Sequence, residues 1–210
     1  MGFLTNYIGF ILHLDSYLGI VIQNYGALTY IIFFLLIFCE TGLVITPFLP
    51  GDSLIFIAGT FAAKTSINVI LLFFVLTLAA ILGDNFNYLI GKYIGEKLLK
   101  NTRLVKRGYI EKTKEFYKRH GGKTIVLARF IPVIRTFAPF VAGIGKMDYL
   151  TFLSFNIVGG VFWIATFVFG GYYFGRIKFV QQNLSWVILA IIFLSVLPII
   201  IEFLKKRIKN

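Results

Sequence analysis

The chain is expected to be an all-α integral membrane protein, multi-span, with two proline-broken re-entrant hairpins in two repeat-like halves. Composition carries the first part of that reading. Hydrophobic residues make up 58% of the 210 residues, charged residues only 14%, and the mean hydropathy is +0.85. Soluble domains carry about 25% charged residues, so this surface is built for lipid. The length leaves room for about four to six membrane segments and no sizeable soluble domain. The second observation is a pair of apolar segments that each contain two prolines and two charges. The third is a weak internal repeat.

Residues 1–26 are apolar but interrupted by His13, Asp15 and Gln23, which suits a membrane-surface helix or a poor span. They are not expected to form a secretory signal, because no Lys or Arg precedes Lys64. Residues 27–39 are a strong apolar run leading into Glu40, after which Pro47, Pro50 and Gly51 break the helix. Residues 53–63 are apolar but too short to span about 30 Å of hydrocarbon at about 1.5 Å per residue. A re-entrant pair of half-helices over about 40–63 fits better than two spans. Residues 66–83 are a full-length span, followed by Gly83-Asp84-Asn85 and a glycine-rich continuation to Gly95, where the first half (1–95) ends. Residues 96–123 form a basic, amphipathic segment suited to the membrane surface. The second half (124–210) opens with 124–143, where Pro132 and Pro139 interrupt an apolar run that ends at Gly143. Two spans follow, 149–174 and 184–203, with a short polar break at 176–183.

The net charge of +12 is not a nucleic-acid signature. Ten of the 21 basic residues fall in 96–123, and Lys205, Lys206, Arg207 and Lys209 close the chain. Both regions therefore read as cytoplasmic under the positive-inside rule, with headgroup attraction as a secondary role. Two spans lie between them, so 124–143 must return to the side it left. A re-entrant hairpin does that.

The repeat pairs Ile57-Ala-Gly59 with Val141-Ala-Gly143, and Gly91-Lys-Tyr-Ile-Gly95 with Gly171-Tyr-Tyr-Phe-Gly175, in the same order. Two halves, each with a broken helix, match the plan of secondary transporters, whose sites lie near the midplane between repeats. Whether the repeats are inverted stays open.

Arg129 and Arg135 are the principal site candidates. An arginine at a helix centre costs roughly 2.5–3.5 kcal/mol by insertion scales, so it persists where it meets a partner or a wet cavity. Its planar, permanently charged fork suits phosphate, and a break at Pro132 lets both arginines converge on one headgroup. Glu40 and Asp52 are the matching acids, either carrying protons or neutralising the arginines between substrates. Asp84 is a third candidate for these roles, though its place beside Asn85 suits helix capping equally. Pro47, Pro50, Gly51, Pro132, Pro139 and Gly143 shape the hairpins. A purely structural pairing of the arginines with the acids is the competing reading.

These residues resemble the DedA family, the bacterial branch of the VTT (SNARE-associated) membrane proteins. The resemblance rests on Glu40, Pro50-Gly51-Asp52 and Gly83-Asp84 in the first half. In the second it rests on Arg129-Phe-Ile-Pro132-Val-Ile-Arg135-Thr-Phe-Ala-Pro139, closing at Ala142-Gly143. It covers roughly residues 25–200, and the arginine block is its most specific part. The resemblance implies two re-entrant hairpins and transport of lipid. Undecaprenyl phosphate is the implied cargo, with coupling to the proton gradient, and phosphatidylethanolamine or general phospholipid flipping is the alternative.

Other classes follow from the residues themselves. A small-solute or ion transporter would use the acids as cation carriers. An intramembrane enzyme such as a lipid phosphatase finds no histidine near the acid and arginine segments, and a single cysteine, Cys39, argues against a cysteine metal site. An insertase would not need paired acids. The expectation is therefore no enzyme activity, metal or cofactor, with a lipid phosphate headgroup and protons as partners. Oligomeric state stays open, and the location is the bacterial cytoplasmic membrane.

Overall fold

The computed structural model describes residues 26–43, 51–100 and 122–184, together with 186, 187, 189–191 and 193. Residues 1–25, Pro47, Pro50, most of the basic segment and the C-terminal lysines lie outside the described residues. Those described form helices and turns, without strands. The helices are α1 (Leu28–Gly42), α2 (Gly51–Ala62), α3 (Val69–Lys100), α4 (Lys123–Ala128), α5 (Pro132–Ile144), α6 (Tyr149–Phe174) and α7 (Lys178–Gln182). Within α3 and α6, Val69–Ile94 and Tyr149–Phe174 are long and apolar enough to cross a membrane. Their exposed side chains include Phe74, Leu78, Leu89, Leu150, Val158 and Phe162, an exterior suited to lipid and not to water. α6 covers the expected span 149–174. α3 departs from expectation: it runs unbroken through Gly83-Asp84-Asn85, where the sequence suggested an end.

Local chemistry explains the helix boundaries. Asn68 caps α3, its Oδ1 accepting the N–H groups of Ile70 at 2.9 Å and Leu71 at 3.2 Å. Asp148 caps α6 by accepting the Thr151 N–H and hydroxyl, both at 2.9 Å. Those bonds, the backbone one foremost, hold its carboxyl below the usual carboxylate range. Between α4 and α5 the N–H groups of Arg129, Phe130 and Ile131 tighten to bond three residues back. Ile131 is extended (φ −120°, ψ 106°), as a residue before proline must be, and Pro132 opens α5.

α5 ends in a Schellman motif. Met147 N–H reaches Ala142 C=O and Lys146 N–H reaches Gly143 C=O, each at 3.0 Å. Lys146 sits at φ 53°, where a Cβ is strained. Lys146→Gly should raise stability by about 0.5–1 kcal/mol in denaturant titration of the detergent-solubilised protein. An unchanged midpoint would show that the strain is relieved elsewhere.

The described residues fall into two compact units. The first draws on residues 26–34, 51–76 and the described residues from 164 onward, the second on 35–43, 77–100 and 122–163. In the first unit α2 is apolar almost all round, and eleven of its 12 residues are buried. It meets α6 backbone to backbone: a Cβ on Gly171 would overlap the Phe56 carbonyl, and one on Gly59 the Val168 carbonyl. The Thr60 hydroxyl bonds the Gly171 carbonyl at 3.2 Å across the same contact.

The second unit repeats this arrangement with α5 against α3. A Cβ on Gly91 would overlap the Phe140 carbonyl, and one on Gly143 the Tyr88 carbonyl. Beside the contact Tyr88 stacks on Phe152 at 4.4 Å between ring centroids, within a core that includes Ile125, Ala138 and Ala142. In the same unit Gly83 gives α1 its approach to α3. A Cβ there would collide with the Thr41 hydroxyl and lie 3.1 Å from the Gly42 nitrogen. That close contact accounts for a glycine inside a continuous helix.

Candidate functional site

The second unit gathers both arginines and two of the acids. Glu40 lies near the end of α1, Asp84 within α3, Arg129 just past α4 and Arg135 in the first turns of α5. All four are buried, at 1–2% exposure. Arg135 Nη2 pairs with Glu40 Oε1, and Arg129 Nη2 pairs with Asp84 Oδ2. The sequence offered Glu40 and Asp52 as partners for the arginines. The structure gives Asp84 to Arg129, and its mid-helix position rules out the capping role that stood open beside it. Asp52 is buried in the first turn of α2, in the first unit.

Three further polar or aromatic groups complete the cluster, and none stood out in the sequence. Asn156 Oδ1 accepts from Arg129 Nη2, while its Nδ2 donates to the Ile81 carbonyl at 3.1 Å. The Asn87 amide donates to the carbonyls of Thr41 at 3.0 Å and Thr136 at 2.8 Å, the neighbours of Glu40 and Arg135. It thereby ties the end of α1 to the start of α5 where the two charges meet. Trp163, fully buried, receives both guanidinia: Arg135 Cζ lies 4.5 Å from its ring centroid and Arg129 Cζ 5.8 Å. A desolvated cation–π contact of this kind is worth about 2 kcal/mol. The break at Pro132 does bring the arginines together, and the indole is where they converge.

The chemistry is that of two buried guanidinia, each paired with a carboxylate. Arg129 keeps Nε and Nη1 without hydrogen-bond partners among the described residues, and so does Asp84 Oδ1. Uncommitted guanidinium donors in a water-poor setting suit an oxyanion with several acceptor oxygens. Of the hairpin-shaping residues, Pro132 starts α5, Pro139 lies inside it and Gly143 makes the closest approach to α3. Gly51 starts α2.

Comparison with known proteins finds membrane proteins. A family model described as the VTT domain matches residues 49–173. The chain is 49% identical over 204 residues to Protein DedA of Escherichia coli K12, covering 95% of this chain and 93% of that one. It is 45% identical to an uncharacterized membrane protein of Mycobacterium leprae over 79% of this chain and 75% of the relative. It is also 32% identical to the inner membrane protein YghB of Escherichia coli K12, over 82% and 78%. No solved structure matches.

Proposed function

This chain belongs to the VTT-domain (DedA) family of membrane proteins, and from that premise we propose that it carries a phosphate-bearing lipid, foremost undecaprenyl phosphate, across the cytoplasmic membrane. One observation carries the proposal. Two buried guanidinia share one indole, and one of them has two nitrogens still uncommitted. The phosphate takes the arginines from Glu40 and Asp84, and the prenyl tail stays in lipid beside the unit. A carboxylate that has lost its arginine takes a proton, which is how the gradient drives the cycle. Asp52 serves as a further counter-charge or coupling acid. No covalent step is involved, so the protein is a transporter and not an enzyme.

Two re-entrant hairpins, 40–63 and 124–143, form the moving parts. Their half-helices are short: α2 has 12 residues and α5 has 13, about 18–20 Å at 1.5 Å per residue. The repeat is supported by matched contacts. Phe56 and Gly59 meet Val168 and Gly171 as Phe140 and Gly143 meet Tyr88 and Gly91. Each half-helix thus lies on the long helix of the opposite half. Segment 96–123 and the C-terminus face the cytoplasm.

The test is translocation of undecaprenyl phosphate in proteoliposomes, with and without an imposed pH gradient. Wild type should transport, faster with the gradient, and Arg135→Ala should fall at least about ten-fold, as loss of one buried charge-assisted contact implies. Folded wild type that moves none of this lipid would exclude it as cargo and bring phosphatidylethanolamine forward.

A further inference from the structure

We infer that Asn156, Gly159, Gly160 and Trp163 form a seat on α6 that aims Arg129, and through the shared indole Arg135, at the headgroup; the inference rests on the phosphate reading above. The four follow the i, i+3, i+4, i+7 spacing, so they share one helix face. All four lie against the same side chain, two of them at Nη2. Asn156 holds Nη2 through Oδ1, and its bond to the Ile81 carbonyl fixes which end of the amide faces the guanidinium. A Cβ on Gly159 would lie 3.0 Å from Arg129 Cδ and 3.1 Å from Nε; one on Gly160 would lie 3.6 Å from Nη2. The arginine stem therefore lies flat on bare backbone. Trp163 closes the far end of the stripe.

The division of contacts argues against a simple helix tie. Asp84 and Asn156 both take Nη2, so the two anchors converge on one nitrogen and leave Nε and Nη1 their donors. A guanidinium that only locked helices together would have its nitrogens bonded to protein. Here the seat orients the group and leaves donors for an oxyanion. These four are positioning residues, acting on substrate through the arginines.

Two measurements test the seat. In proteoliposomes of the full chain, transport is followed against the mole fraction of undecaprenyl phosphate for Gly159→Ala, Trp163→Leu and Trp163→Phe. Gly159→Ala and Trp163→Leu should raise the half-saturating fraction about thirty-fold, the loss of one desolvated cation–π contact or its geometry. Trp163→Phe, which keeps a ring face, should stay within about three-fold. Trp163→Leu saturating like wild type, or Trp163→Phe as impaired as Trp163→Leu, would overturn the proposal. The second measurement needs no transport. The chain has two tryptophans, so Trp186→Phe leaves Trp163 as sole emitter under tryptophan-selective excitation. Its emission should change on Arg135→Gln and on Gly159→Ala. Unchanged emission in both would overturn the seat even if the cargo proved to be another lipid, whereas inactive wild type with responsive emission would reject only the phosphate reading.

Discussion

Neutralising one member of the Arg135–Glu40 pair should destabilise the protein by about 3–5 kcal/mol, whereas neutralising both should restore most of that stability. Both groups are at most 2% exposed, so Arg135→Gln strands a carboxylate and Glu40→Gln strands a guanidinium in a low-dielectric interior. The double variant Glu40→Gln/Arg135→Gln leaves two amides able to hydrogen bond with each other. Denaturant titration of the four proteins in detergent gives the comparison. A double variant as unstable as the worse single one would mean that the charges are held by other groups and not chiefly by each other.

The next largest effect is expected at the helix crossings. Gly143→Ala and Gly59→Ala should each cost about 3 kcal/mol, because the added methyl falls on a backbone carbonyl that cannot move without parting the helices. Gly170→Ala is the control. Its Cβ would meet only Phe56 Cε2, at 4.0 Å, so it should be neutral or slightly stabilising through helix propensity. The same titration decides it. Equal effects at Gly143 and Gly170 would show that glycine acts there through chain flexibility and not through close approach.

Much of this arrangement is legible in the sequence where one residue dictates local backbone. Pro132 forbids helix before it and starts one after it, so the break between α4 and α5 falls where the sequence put it. The apolar run 149–174 becomes α6 because it holds no proline and no charge. Gly83-Asp84-Asn85 misleads because glycine is a weak breaker inside a long apolar helix, and its reason for being there is a neighbouring backbone. The partner of Arg129 was hidden for a related cause. Which acid meets an arginine depends on the path of the whole chain, and the sequence put Glu40 and Asp52 ahead of Asp84. Asn156 and Trp163 sit within an unbroken span, where an amide and an indole raise no alarm. Their signal was the spacing with Gly159 and Gly160, a polar and small stripe on an otherwise apolar helix.

The central claim is that the buried arginines receive a lipid phosphate and do not merely brace the second unit. Glu40→Gln/Arg135→Gln separates the two, since its stability should approach that of wild type. The measurement is undecaprenyl phosphate transport by this variant in proteoliposomes, at matched protein content. Transport at least about ten-fold below wild type in a stable protein is the expected result. Transport at the wild-type rate would contradict the account and leave the charge pair as a structural tie.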